Sequence, residues 1–307
     1  MTLRFLGGAA TSLLAVGTAL VVGTTGALAY QSGTIGYDIS FPQCATTYPT
    51  STGPVRNPTP PGVPTTTLPS RFAGPAPVAL PQRTGVAVAR LVSPSVRASS
   101  RGFGIVGVDS GNPFISSTNP GNPCLADEYA HSPNPSLYVN TGYHPSYTDA
   151  NHTTADCAAK SGNVSGSAAQ QAAWAVGCSE AEKDLAYVTA QGIVNRGGWW
   201  LDVETSNSWC GQHGVSCDLS FNQYSIQGLT DTLLAGGASP VGIYSNKAQW
   251  SAIVGTNTVH GQTADWYATG TSTAAAATPY CASSFSFTGD PVKLAQFVNG
   301  VDFDVAC

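Results

Sequence analysis

The run GGWWLDVE, residues 197–204, carries two carboxylates, Asp202 and Glu204, at the end of an apolar stretch. Such a stretch reads as buried, and a buried carboxylate is costly unless something pairs with it or uses it. On a β-strand residues i and i+2 share a face. Trp200, Asp202 and Glu204 therefore point one way, and Trp199, Leu201 and Val203 the other. The two acids then stand roughly 6.5–7 Å apart at ~3.3 Å per residue. Acids this close push one pKa up and keep one group protonated near neutral pH. An acid and a second carboxylate at this spacing can flank a glycosidic bond.

The elements that must position this pair follow from the pattern of short apolar runs. Strands are expected at 33–40, 103–109, 136–141, 199–204, 240–245, 264–269, 292–298 and 301–306. Helical patterns lie between several of them: a short one around 123–131, the clearest at 167–192, and another at 221–237 that ends at its glycines. Strands alternating with helices predict parallel βαβ units. Eight strands predict an irregular (β/α) barrel of the TIM type in a single α/β domain.

Polar side chains collect at the ends of these runs: Asp38, Asp109, Asn140, Asp202, Glu204 and Tyr244, with Gln296 on the seventh run and Asp302 and Asp304 on the eighth. A barrel active site needs polar groups at the C-terminal ends of its strands. Charged residues make up only 9% of the chain, so the set is not a background of surface charge. Trp209, Trp250, Trp266, Tyr143, Tyr244 and Tyr267 are the candidate platforms on which a sugar ring could stack.

The N-terminus bears Arg4, then an uncharged run from Leu13, then Ala-Leu-Ala at 27–29. This predicts an export signal over residues 1–29, cut between Ala29 and Tyr30. The run is broken by Gly and Thr and is short against the ~20 apolar residues of a membrane span, so no membrane association is expected after cleavage. The remaining chain divides into a first strand region (30–44), a Pro-rich insert (45–101) with no hydrophobic periodicity, and the rest of the barrel (102–307). The insert is expected to be a flexible loop on the strand-end face.

Eight cysteines follow the signal, with no Cys-x-x-Cys pair among them, so disulfides are expected rather than a metal site. Composition does not determine their pairing. Order along the chain suggests Cys44–Cys124, Cys157–Cys178, Cys210–Cys217 and Cys281–Cys307. Lys+Arg is 12 and Asp+Glu 17, a net charge of −5 with no basic patch, which excludes a nucleic-acid binder. No cofactor motif is present. There is no G-x-S-x-G, and the five histidines fall in loops or helix ends, against a serine nucleophile. A secreted monomer is expected.

Taken in order, IGYDIS, LYVNTGYHP, WWLDVETSNSW, VGIYSNKAQW, ADWYAT and LAQFVNGVDFD resemble the strands of family 25 glycoside hydrolases, the lysozyme-like muramidases, and a secreted bacterial glycoside-hydrolase-like branch of them. The resemblance covers residues 33–44 and 103–307, and the Asp-x-Glu strand is its most specific motif. It implies an irregular (β/α) barrel that cleaves the β-1,4 bond after N-acetylmuramic acid in peptidoglycan. It implies Glu204 as general acid and Asp202 as partner carboxylate. Asp38, Asp302 and Tyr244 match site positions, with Asp109, Asn140, Trp266 and Gln296 as further substrate contacts. The chain departs from the pattern at the second strand, which ends VDSG where the family commonly has Glu-Gly, and in the insert. A non-catalytic cell-wall-binding protein on the same barrel is the competing reading, because fold does not determine function.

Overall fold

All eight expected strands join one closed barrel in a computed structural model of the chain, which describes residues 30–44, 47–50, 53–56, 102–111, 113–147, 149–194 and 197–307. The expected signal segment lies outside these residues. The strands are β1 (Ile35–Ile39), β4 (Gly104–Gly107), β5 (Ser136–Asn140), β6 (Trp199–Asp202), β7 (Val241–Ser245), β8 (Ala264–Thr271), β9 (Val292–Asn299) and β10 (Val301–Ala306). Their order around the barrel is β1-β10-β9-β8-β7-β6-β5-β4. Within the Pro-rich segment, where no regular structure was expected, β2 (Thr47–Thr50) and β3 (Gly53–Arg56) form a separate antiparallel pair.

The barrel is mixed, which corrects the expectation of parallel units throughout. From β4 to β9 neighbouring strands run parallel, as do β1 and β4, but β10 is antiparallel to both β9 and β1. Gly300 alone separates β9 from β10, at φ +81°. A parallel return needs a crossover of a dozen or more residues, so this link permits only a hairpin; the left-handed backbone at its tip suits glycine. One functional consequence follows. Because β10 starts at the end where β9 finishes, Asp302 lies level with the C-terminal ends of the parallel strands, directly opposite Asp38.

Among the described residues six α-helices accompany the strands: α1 (Leu125–His131), α2 (Ala155–Ser161), α3 (Ala168–Ala190), α4 (Ser220–Ala235), α5 (Lys247–Val254) and α6 (Ala274–Ala277). Ser167 and Gln170 close α3 with a capping box. Helices α3 and α4 approach to backbone contact. A Cβ on Gly177 would lie 1.8 Å from the Ser225 carbonyl oxygen, and one on Gly228 2.1 Å from that of Trp174. No helix among the described residues is long and apolar enough to cross a membrane.

The two faces of β6 separate as strand alternation requires. Trp199, Leu201 and Val203 join the layer beneath the helices with Ile226, Leu229 and Ile243. Trp200 joins the barrel interior with Phe103, Ile105, Tyr244, Trp266 and Leu294. Its indole occupies the place where a side chain on Gly242 would project, since a Cβ there would lie 2.3 Å from the ring. All four expected cysteine pairs are bonded: Cys44–Cys124, Cys157–Cys178, Cys210–Cys217 and Cys281–Cys307, with Cα separations of 5.5, 5.8, 5.3 and 5.2 Å.

Candidate functional site

Asn140, Asp202, Tyr244 and Trp266 stand side by side at one level of β5, β6, β7 and β8. On the other side of the mouth, Gln296 of β9 pairs with Ala268 and with Asp304 of β10. Strand pairing thus brings seven of the nine expected site residues, Asp38 and Asp302 included, to one end of the barrel. Asp109 follows β4 by two residues, and Glu204 follows β6 by two.

Strand β6 was expected to reach Glu204, but it ends at Asp202. The chain turns because the Glu204 carbonyl accepts from Asn207 N–H at 3.0 Å and from the Trp209 indole at 2.9 Å. Glu204 is half-buried on this turn, and Asp202 is 8% exposed with Oδ1 buried and unpartnered. The Asp202 carbonyl is held by Thr141 Oγ1 at 2.9 Å and Asn207 Nδ2 at 3.1 Å. Burial, helped by the Glu204 charge beside it, raises the Asp202 pKa well above the carboxylate range. Burial likewise raises Glu204, with a further push from Asp302 and an opposing hydrogen bond from Gln249.

A directed hydrogen-bond chain crosses the mouth. Gln296 turns its amide nitrogen to Asp38, donating to Oδ2 at 3.1 Å. Its Oε1 then faces Tyr244, whose hydroxyl donates at 2.6 Å. On the far side Trp266 donates its indole N–H to Asp304 Oδ1 at 2.6 Å, while Asp304 Oδ2 is buried and meets no hydrogen-bond partner among the described residues. Burial and Asp302 raise Asp38 to about 7, and burial and Asp38 raise Asp304 well above its ordinary value. Among the described residues no ion pair reaches Asp38, Asp202, Glu204, Asp302 or Asp304. Carboxyls buried without a countercharge hold their protons to higher pH than exposed ones.

Asp109 is differently placed. Both its oxygens are occupied, by Asn140 N–H at 2.8 Å, Asn140 Nδ2 at 2.9 Å and Gly111 N–H at 3.1 Å. The two expected contacts, Asp109 and Asn140, thus clamp the loop after β4 onto the end of β5; burial still lifts Asp109 to about 7. The aromatic candidates are also inside. Trp266 is 2% exposed and packs 4.5 Å from Tyr244, and Trp209, Trp250, Tyr143, Tyr244 and Tyr267 are all buried. Trp266 therefore forms the floor beneath the acids.

Three features escaped sequence reasoning. Phe41, on the short 3-10 turn after β1, is 37% exposed, while Val298 at the end of β9 is 50% exposed, so both put apolar surface at the rim. Gln249 of α5 reaches Glu204 from 45 residues away. Glu180 and Asp184 of α3 are buried one turn apart, no oxygen of either forming a hydrogen bond of good geometry, and both interact electrostatically with Asp109. In sequence these last two look like solvated helix charges. Among the described residues, the clustered metal-ligand types Cys157, Cys178 and Glu182 include two sulfurs already in a disulfide.

No protein-family model matches the chain, and no curated protein matches it significantly. Among solved structures it is similar to a glycosyl hydrolase 25 of Streptococcus pneumoniae, described as a novel virulence factor participating in host cell invasion. The identity is 14% and the TM-score 0.38, over 68% of this chain and 78% of that one. A likeness this distant assigns neither family nor activity.

Proposed function

We propose that the chain is a secreted glycoside hydrolase acting on peptidoglycan or a related cell-wall polysaccharide, with Glu204 as general acid and Asp202 as partner carboxylate. The observation that carries this reading is Glu204 itself: a half-buried carboxyl with a raised pKa at the barrel mouth, electrostatically coupled to the more deeply buried Asp202. In the reading, Glu204 gives its proton to the leaving-group oxygen as the bond breaks. Asp202, which retains its proton, positions the N-acetyl group that answers the positive charge developing on the sugar.

Asp38 and Asp302 contact the glycan from the opposite wall, with Tyr244 and Gln296 orienting Asp38. Asp109 and Asn140 shape the loop, Trp266 forms the floor, and Phe41 offers a stacking face at the rim. The sequence resemblance to family 25, the four disulfides and the export signal read from the N-terminus support a role outside the cell. The test is clearing of a purified cell-wall suspension by wild type and by Glu204→Gln. Clearing by wild type alone supports the reading. Wall binding without clearing by either protein favours the non-catalytic binder.

A further inference from the structure

Gln249 lies on the first turn of α5, where Asn246 caps the helix by accepting from the N–H groups of Ala248 and Gln249, both at 3.0 Å. Its side chain turns back to the loop after β6. There Oε1 accepts from Thr205 N–H at 2.7 Å, with the Thr205 hydroxyl at 3.4 Å. A backbone N–H can only donate, so the atom facing Thr205 must be the amide oxygen. The nitrogen is thereby committed to the other side, where it donates to Glu204 Oε1 at 3.3 Å.

We propose that Gln249 is the positioning residue for Glu204: its locked amide occupies Glu204 Oε1 and confines the acidic proton to Oε2. A proton on Oε1 would weaken that oxygen as an acceptor for the amide, so Oε2 is the favoured carrier. The other ionisable groups facing Glu204 come from three strands: Asp202 of β6, Tyr244 of β7 and Asp302 of β10. Asp302 disfavours a charge on Glu204, whereas Asp202 and Tyr244 are themselves raised by that charge. The Gln249 amide opposes burial and Asp302, because a donor favours the ionised form. Burial and Asp302 raise the pKa of the acid, and the Gln249 amide limits that rise. The catalytic part of this inference rests on the function proposed above; the positioning part does not.

The experiment is a carbon-detected NMR titration of the Glu204 carboxyl in the full chain, for wild type, Gln249→Met and Gln249→Glu. The glutamate variant keeps an acceptor for Thr205 N–H and the side-chain shape, which guards against misfolding. The Glu204 midpoint is expected to move to higher pH in Gln249→Met. In Gln249→Glu two coupled acids titrate in two steps, and the upper midpoint is expected above that of wild type. A wild-type midpoint in Gln249→Met, or in Gln249→Glu no upper step above the wild-type value, at an unchanged melting temperature overturns the proposal, because a purely structural role would move stability alone. The basic limb of the activity–pH profile should follow the midpoint. A midpoint that moves in a protein whose wild type clears no cell wall leaves Gln249 as the positioning residue and removes the glycosidase reading.

Discussion

Glu204 and Asp202 differ in what surrounds them, and the division of roles proposed for them rests on that difference. Glu204 has a donor on one oxygen and partial access to the mouth, whereas Asp202 is nearly covered and has a buried oxygen without a partner. Glu204→Gln keeps the shape and removes the proton. It is expected to lower glycan hydrolysis by a factor on the order of 10²–10⁴ with an unchanged melting curve, and undiminished clearing activity by the folded variant would end the mechanism. Tyr244→Phe removes the hydroxyl that fixes the Gln296 amide. A net hydrogen bond of this kind is worth about 0.5–1.5 kcal/mol. The variant should fold with a melting temperature lowered by a few degrees, measurable by calorimetry.

The same acids set an unusual dependence of stability on pH. Asp38 and Asp109 rise from 3.8 to about 7 on folding, through burial first and, for Asp38, the charge of Asp302 next. A carboxyl with a raised folded pKa binds more protons folded than unfolded. Its stabilising contribution is whole below about 3.8 and is lost as pH rises through about 7. Asp202, Asp304, Glu180 and Asp184 are shifted in the same direction. The melting temperature is therefore expected to fall between pH 4 and pH 7, and Asp38→Asn to make that fall shallower. A melting temperature that climbs across this window in the wild type would contradict the assignment of buried, proton-retaining acids.

At the scale of elements, α3 and α4 depend on two glycines. With a Cβ at position 228 only 2.1 Å from the Trp174 carbonyl oxygen, the helices must separate to admit a methyl group. Gly228→Ala should cost on the order of 1–3 kcal/mol, read as a lowered denaturation midpoint; a neutral outcome would show that the helix pair can slide. The β9–β10 hairpin is the other decisive element. Its single-glycine link reverses the last strand and carries Asp302 to the mouth, where a parallel strand would have put its other end.

Across the whole molecule, a disulfide fastens the last strand of the barrel. Cys307 bonds to Cys281 across 26 residues and fastens the end of β10, whose other end carries Asp302. A ring of that length is worth about 3.5 kcal/mol in the chain-entropy model. Replacing Cys281 and Cys307 together by Ala should lower stability by that order and speed amide exchange along β10 more than along β6. Equal exchange in the two strands would show that the bond does not serve the last strand in particular.

Much of this architecture is legible in the sequence because it depends on neighbours along the chain. Alternation on β6 places Trp199, Leu201 and Val203 outside and Trp200 inside. Eight apolar runs give the eight strands, and the capped helix at 167–192 differs from α3 by one or two residues at its ends. Those patterns repeat every two or 3.6 residues and need no distant partner. What the tertiary structure alone decides depends on groups far apart in sequence: the exposed Phe41 at the rim, the amide of Gln249 on Glu204, the Tyr244–Gln296–Asp38 chain, and the burial of Glu180 and Asp184 opposite Asp109. A glutamine on a helix or a glutamate one turn from an aspartate looks like ordinary surface until the fold removes the water around it, and burial sets both the hydrogen-bond partner and the proton affinity.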